Sequence, residues 1–385
     1  MAFQKFRGDQ LFDGYRMLDD QHVLITTEEG TIVDIVHPGE AGDDVQVFTG
    51  ILCPGFINCH CHLELSHMKG HIPEGTGLIE FVTRVIKDRH HADDEILQAI
   101  EKAESEMLSE GIVAVGDICN NTLALSQKLK KRITYHNFIE ASGLVPEMAG
   151  LRFERAVDIF NTYEKQNPSP FSNSIVPHAP YSVSEELWKK VIYFPGNKLL
   201  TIHNQETRSE NELFIDKRGE FLKFYKEVNF DPSLFRSSGR TSLQTYLQKF
   251  LIDQQLILVH NVYTSSEDIA YCNSLNRAGK IFWCLCPNAN LYINGELPDL
   301  KLFAGSSVVL GTDSLASNHQ LSILAEMRVI REHFPFIGIE NLFAWATING
   351  AKALQLDNIL GSFEHGKKPG LVICEATLSA CKRLL

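Results

Sequence analysis

The chain has no apolar run approaching the roughly 18 residues that a membrane span requires. Its first twenty residues mix charge with apolar side chains and show no signal-peptide core. No Lys/Arg cluster stands out beyond short pieces such as residues 128–132, and 36 basic against 48 acidic residues give a formal charge of −12. That balance argues against a nucleic-acid partner bound through its phosphates. Also missing is the C-x2-4-C pair of a structural zinc site. The nine cysteines are an odd number without a disulfide-framework spacing, which favours reduced thiols. No internal repeat or low-complexity tract is present. These absences lead us to expect a soluble, cytoplasmic protein with neither nucleic-acid nor membrane partners.

What the chain does have is bulk. It is 385 residues long, 44% hydrophobic and 22% charged, enough for a large core. Short apolar, β-branched runs recur at 51–56, 112–117, 133–139, 174–177, 198–202, 256–259, 280–285 and 307–310. Several are apolar on both faces, as parallel strands covered by helices are. Helical signals lie between them: an amphipathic run at 95–110 stopping at Gly111, Ser182-x-x-Glu185, Thr264-x-x-Glu267, and a run at 321–333 ending before Pro335. Eight alternating units predict an α/β fold, a (β/α)8 TIM barrel over residues 51–359. Residues 1–50 and 360–385 read instead as short antiparallel strands, predicting one small β-sandwich built from both termini. Residues 206–256 form too long a connection for a plain barrel and are placed to cover its mouth.

The segment Pro54-Gly55-Phe56-Ile57-Asn58-Cys59-His60-Cys61-His62-Leu63-Glu64 carries the first chemical signal. Alternation along a strand puts His60 and His62 on one face, roughly 7 Å apart, and Cys59 and Cys61 on the other. The cysteines, like Cys284 and Cys286, read as small apolar residues of buried strands. Later strands end in the same manner. His203 closes the fifth, with Glu206 three residues on; His260 closes the sixth; Asp313 follows the eighth. One polar residue at a strand end is ordinary, but four histidines and two acids on one rim are not. His60, His62, His203 and Asp313 supply three imidazoles and a carboxylate, a set suited to Zn²⁺ and tolerant of Fe²⁺ or Mn²⁺. Water on such an ion ionises near pH ~7. Glu206 is placed to take its proton and pass it on, and His260 to hold the water or a developing oxyanion. The constellation predicts metal-assisted hydrolysis.

These motifs are joined by Cys286-Pro287-Asn288-x-Asn290, Gly311-Thr312-Asp313-x-x-x-Ser317-Asn318 and Thr347-Ile348-Asn349-Gly350-Ala351-Lys352-Ala353-Leu354. Taken in order, the set resembles the amidohydrolase superfamily, in its cytosine-deaminase-like, chlorohydrolase-type branch. The resemblance implies a barrel beside a β-sandwich, and one divalent metal on His60, His62, His203 and Asp313. It makes Glu206 the proton shuttle, His260 the residue orienting the water, and Asp313 a participant in proton transfer. No strand-end lysine matches the carbamylated bridge of binuclear members, so a single metal is implied. Val176-Pro177-His178-Ala179-Pro180-Tyr181-Ser182 is similar to the segment of S-adenosylhomocysteine/methylthioadenosine deaminases whose histidine contacts the nucleoside. Arg152 matches a substrate-contacting arginine there, and Ser317 is a candidate ring or hydroxyl contact. His62-Leu63-Glu64-Leu65-Ser66 also resembles aminodeoxyfutalosine deaminases. Near the C-terminus the chain departs from the pattern, with Pro369-Gly370-Leu371 in place of Ala-Asp-Leu.

The resulting expectation is a metal-dependent aminohydrolase that removes an exocyclic amine from a heteroaromatic ring, first of all an adenine-type nucleoside, by attack of metal-bound hydroxide. The same site would serve cleavage of an amide, imide or C–Cl bond. A catalytically silent barrel would have lost a ligand or the shuttle, and all six positions are present. By analogy with relatives, the chain is expected to form a homodimer.

Overall fold

The computed structural model describes residues 3–166, 173–275, 277 and 279–385. Its centre is eight parallel strands: β1 (Phe56–Cys61), β2 (Ile112–Cys119), β3 (Thr134–Ala141), β4 (Asn173–Pro177), β5 (Leu199–Asn204), β6 (Gln255–His260), β7 (Ile281–Leu285) and β8 (Val308–Leu310). They form two four-stranded sheets, ordered β4-β3-β2-β1 and β5-β6-β7-β8. The strands are buried almost throughout, because helices such as Asp93–Ser109, Ala149–Gln166 and Ile323–His333 cover them. The two sheets touch at both outer edges. A parallel bridge pairs Cys61, the last residue of β1, with Asp313 just beyond β8, and His203 N donates to His178 O at 3.0 Å.

The termini build two further sheets. One holds Phe3–Arg7, Val23–Thr27, Ile32–Val36 and Gln46–Val47; the other holds Gln10–Phe12, Met17–Leu18, Ile51–Cys53, Val372–Cys374 and Cys381–Arg383. Phe6, Leu24 and Ile32 of the first share an apolar cluster with Leu11 and Leu52 of the second.

One expected strand divides. Residues 51–56 read as the first barrel strand, but Ile51–Cys53 pairs with Gln10–Phe12 and Val372–Cys374 in the terminal sheet. The parallel strand starts at Phe56. Pro54 has no N–H to continue a ladder, and Gly55 N donates to Pro369 O at 3.1 Å. The consequence is chemical: the His60 side chain sits inside β1. Two expected helix starts also shift by one or two residues. The caps are Ser184 and Ser265, because the Ser182 hydroxyl is engaged with His178 and that of Thr264 donates to Gln205 Oε1 at 2.7 Å.

Residues 206–256 contain the helices Arg208–Asp216, Phe221–Glu227 and Ser242–Tyr246. Leu213, Phe221, Phe224 and Phe230 pack with Leu78 and Phe81 of the helix Leu78–Asp88 in a second apolar cluster. Phe81, Phe224 and Phe230 also line the cavity described below.

The backbone at Gly55 leaves no room for a side chain: a Cβ there would stand 2.3 Å from Val113 Cγ1 and 2.8 Å from Pro369 O. Gly55→Ala is expected to lower stability by about 1–3 kcal/mol, measured by urea denaturation. A wild-type midpoint would contradict this account of the crossover.

Candidate active site

The sequence-predicted residues meet at the C-terminal ends of the parallel strands. His60 lies in β1 with His62 just beyond it, His203 in β5, and His260 at the last position of β6; Asp313 follows β8. The backbone bends hard to aim them. His260 has φ +76° and Asp313 φ +57°, a region that non-glycine residues enter at a cost of about 1–3 kcal/mol each. Asp313 is held there by its own N–H and that of Thr312, both donating to His60 O at 3.0 Å.

His60 Nε2 and His62 Nε2 are 3.2 Å apart, and Asp313 Oδ1 is 3.5 Å from the first and 3.4 Å from the second. Nitrogen atoms of His60, His62 and His203 all fall within 4.8 Å of one another. Donors placed tetrahedrally 2.0–2.1 Å from a zinc ion lie roughly 3.3 Å apart, so these spacings suit a single small cation. Burial pushes the His62 imidazole well below its usual range and that of His203 down to about 3, leaving both uncharged with lone pairs to donate. Burial alone would raise the Asp313 carboxyl, but a His60 hydrogen bond and the surrounding imidazoles of His62, His60 and His260 hold it far below the ordinary carboxylate range. His203 Nδ1 is 2.8 Å from His178 O. A proton on Nδ1 makes that bond and frees Nε2 for a metal.

Glu206 and His260 complete the rim, with Glu206 Oε2 3.6 Å from His260 Nε2. Burial pushes the Glu206 carboxyl well above its usual range, reinforced by Asp313 and Glu210. It is a group suited to carry a proton near neutrality. The Asn290 amide lies 3.0 Å from His260 Nδ1 and orients that ring. The cavity measures about 420 Å³, in the range of small-molecule sites.

His178 and Arg152 line this cavity. His178 Nδ1 is 2.7 Å from Ser182 Oγ, which donates to Ala179 O at 3.1 Å. Both contacts are met when Nδ1 carries the proton, which leaves Nε2 as an acceptor. Burial lowers the His178 imidazole to about 4. Ser317 lies elsewhere than expected: fully buried, it donates to Asp313 Oδ2 at 2.6 Å, while Ser314 of the same loop reaches the cavity. Helix-like spacing after Asp313 turns Ser317 back under the carboxylate. Cys59 and Cys61 are buried, and burial pushes both thiols well up.

Sequence reasoning missed several contributors. Leu63 N donates to Asp117 Oδ1 at 2.8 Å, and Lys128 Nζ pairs with Asp117 Oδ2 at 2.5 Å, which pins the chain just after His62. Glu64 is buried and pairs with Arg89 Nη2 at 2.6 Å. Glu140, near the end of β3, faces the cavity. Its only signal was a polar residue closing an apolar strand.

A profile described as the Amidohydrolase family matches residues 51–383. The chain belongs to the amidohydrolase family. This amidohydrolase is 28% identical over 334 residues to an adenosine deaminase of Helicobacter pylori, covering 84% of this chain and 78% of that one. It is 27% identical over 342 residues to a 5-methylthioadenosine/S-adenosylhomocysteine deaminase of Teredinibacter turnerae, covering 84% and 71%. Among solved structures, Helicobacter pylori aminofutalosine deaminase in complex with methylthio-coformycin superposes with a TM-score of 0.81 at 24% identity, covering 97% of this chain and 92% of that one.

Because Ser317 reaches Asp313 and not the cavity, Ser317→Ala is expected to weaken metal affinity by about 10–100-fold while KM in the metal-saturated protein stays near wild type. Metal-buffer titration measures the first. A raised KM with unchanged metal affinity would return Ser317 to the substrate.

Proposed function

We propose that the chain is a metal-dependent deaminase that removes the exocyclic amine of an adenine-type nucleoside by hydrolysis. The observation that carries this reading is the meeting of His60, His62, His203 and Asp313 with Glu206 and His260 on one cavity. The names of the relatives support the substrate class. The fold reading extends likewise: the two parallel sheets, touching at both edges, are the halves of one (β/α)8 barrel over residues 51–359. The terminal sheets form a small β-sandwich from residues 1–50 and 360–385, to which Ile51–Cys53 adds a strand. Nine unpaired cysteines favour the cytoplasm.

His60, His62, His203 and Asp313 are the residues that would hold one divalent ion, with zinc the first choice for three imidazoles and a carboxylate. Such an ion, when bound, lowers the pKa of water towards ~7 and so supplies a nucleophile at neutral pH. Glu206 takes the proton from the attacking water and delivers it to the ring nitrogen beside the amine-bearing carbon. His260, fixed by Asn290, holds the oxygen on line, and Asp313 accepts the second proton on its way to the leaving amine. One C–O bond forms, one C–N bond breaks, and ammonia departs as the ring becomes a lactam. Phe81, Phe224 and Phe230 form the apolar walls that exclude bulk water from the ring.

The test is ammonia release by the metal-loaded protein across adenine, guanine and cytosine nucleosides, with adenine nucleosides expected to be turned over. Glu206→Gln is expected to lower kcat by about 10²–10⁴-fold with metal content unchanged. Activity surviving that substitution would remove Glu206 from its role, and no ammonia from any nucleoside would overturn the deaminase reading.

A further inference from the structure

Glu140 is a carboxylate without an assigned partner for one of its oxygens. It lies next to last in β3 and lines both the catalytic cavity and the polar chamber beside it. Its Oε2 atom is buried and has no hydrogen-bond partner. Leaving such an oxygen bare is unfavourable, so the position suits a donor that arrives with the substrate. Glu140, His178 and His203 each place one side-chain atom within 4.8 Å of the other two. His178 adds a second acceptor through Nε2. Glu140 Oε2 and His178 Nε2 are thus acceptors on a stretch of wall that also carries Arg89, Asn120 and Arg152.

The topology says which part of the substrate faces it. Glu206 and Asp313 follow β5 and β8 and His260 ends β6, whereas Glu140 lies in β3 and His178 just after β4. An adenine ring with its amine-bearing carbon over Glu206 and Asp313 turns its opposite edge towards β3 and β4. That edge carries ring nitrogens with lone pairs and the glycosidic bond, and the ring's only donor is the amine being removed. The remaining donors of the nucleoside are the hydroxyls of its sugar. We propose that Glu140 is a specificity residue of this site, its free carboxylate oxygen accepting a sugar hydroxyl, so that the protein selects ribonucleosides over their deoxy counterparts. The proposal rests on the adenine-nucleoside reading given above.

The experiment uses the full-length, metal-loaded protein with adenosine, 5′-methylthioadenosine and the 2′-deoxy and 3′-deoxy forms of each. A hydrogen bond from a hydroxyl to a buried carboxylate predicts a ribo-to-deoxy preference in kcat/KM of about 10–100-fold for at least one hydroxyl. Glu140→Ala is expected to collapse that preference to near unity, chiefly by raising KM for the ribonucleoside, with metal content preserved. Glu140→Gln, nearly the same shape, keeps an acceptor oxygen and is expected to retain part of the preference; it stands in if the alanine variant does not fold. A wild type that releases ammonia equally from ribo and deoxy substrates overturns this proposal alone. So does a preference that persists in both variants. Absence of ammonia from every substrate overturns the deaminase reading, and the proposal falls with it.

Discussion

Lone pairs crowd at the rim of this protein in a way that a bound cation relieves. His60 and His62 bring Nε2 atoms within 3.2 Å of each other, Asp313 adds a carboxylate oxygen beside both, and His203 joins them. Burial keeps the imidazoles of His62 and His203 uncharged, so protonation does not relieve the crowding. A cluster of acceptors in a dry site is unfavourable by itself, and a divalent ion turns the same atoms into a favourable coordination shell. The surrounding architecture serves that exchange.

The support is electrostatic as much as apolar. Lys128, Asp117 and Asn137 form a buried network behind β1, with Asp117 holding Leu63 N. Asp117 keeps Lys128 protonated against burial, which by itself favours the neutral amine. Removing either Lys128 or Asp117 alone leaves an uncompensated buried charge, at a cost of about 3–5 kcal/mol. A second network, Glu64 with Arg89 and the Asn120 N–H, fixes the chain next to it. Left-handed backbone at His260 and Asp313 persists because hydrogen bonds over-determine it, as when two N–H groups share His60 O. Rigid placement of this kind spares the reaction the reorganisation that flexible side chains require.

Much of this was legible in the sequence because strands announce themselves. Seven of the eight parallel strands coincide with apolar runs, and His203, His260 and Asp313 stand just beyond where three of those runs end. The first run misled, since Ile51–Cys53 is the more continuously apolar segment, and its pairing partners place it in the terminal sheet while those of Phe56–Cys61 place that strand in the parallel one. Ser317 misled for a different reason: spacing places a residue on a loop but not which side of it faces the cavity. Glu140 and Asp117 escaped notice because a lone acid within an apolar strand carries no motif. Their roles appear only when Arg89, Lys128 and the backbone of Leu63 are brought beside them. The pocket wall is shaped by such non-local contacts, while the histidines and the aspartate proposed as metal ligands are written in short local motifs.

The central claim is that one ion sits among His60, His62, His203 and Asp313. X-ray absorption at the metal edge, with elemental analysis of the same zinc-supplemented protein, tests it most directly. The account predicts close to one equivalent of metal surrounded only by nitrogen and oxygen donors at about 2.0–2.2 Å. Sulfur scattering at about 2.3 Å, or a protein that stays largely metal-free, would contradict it.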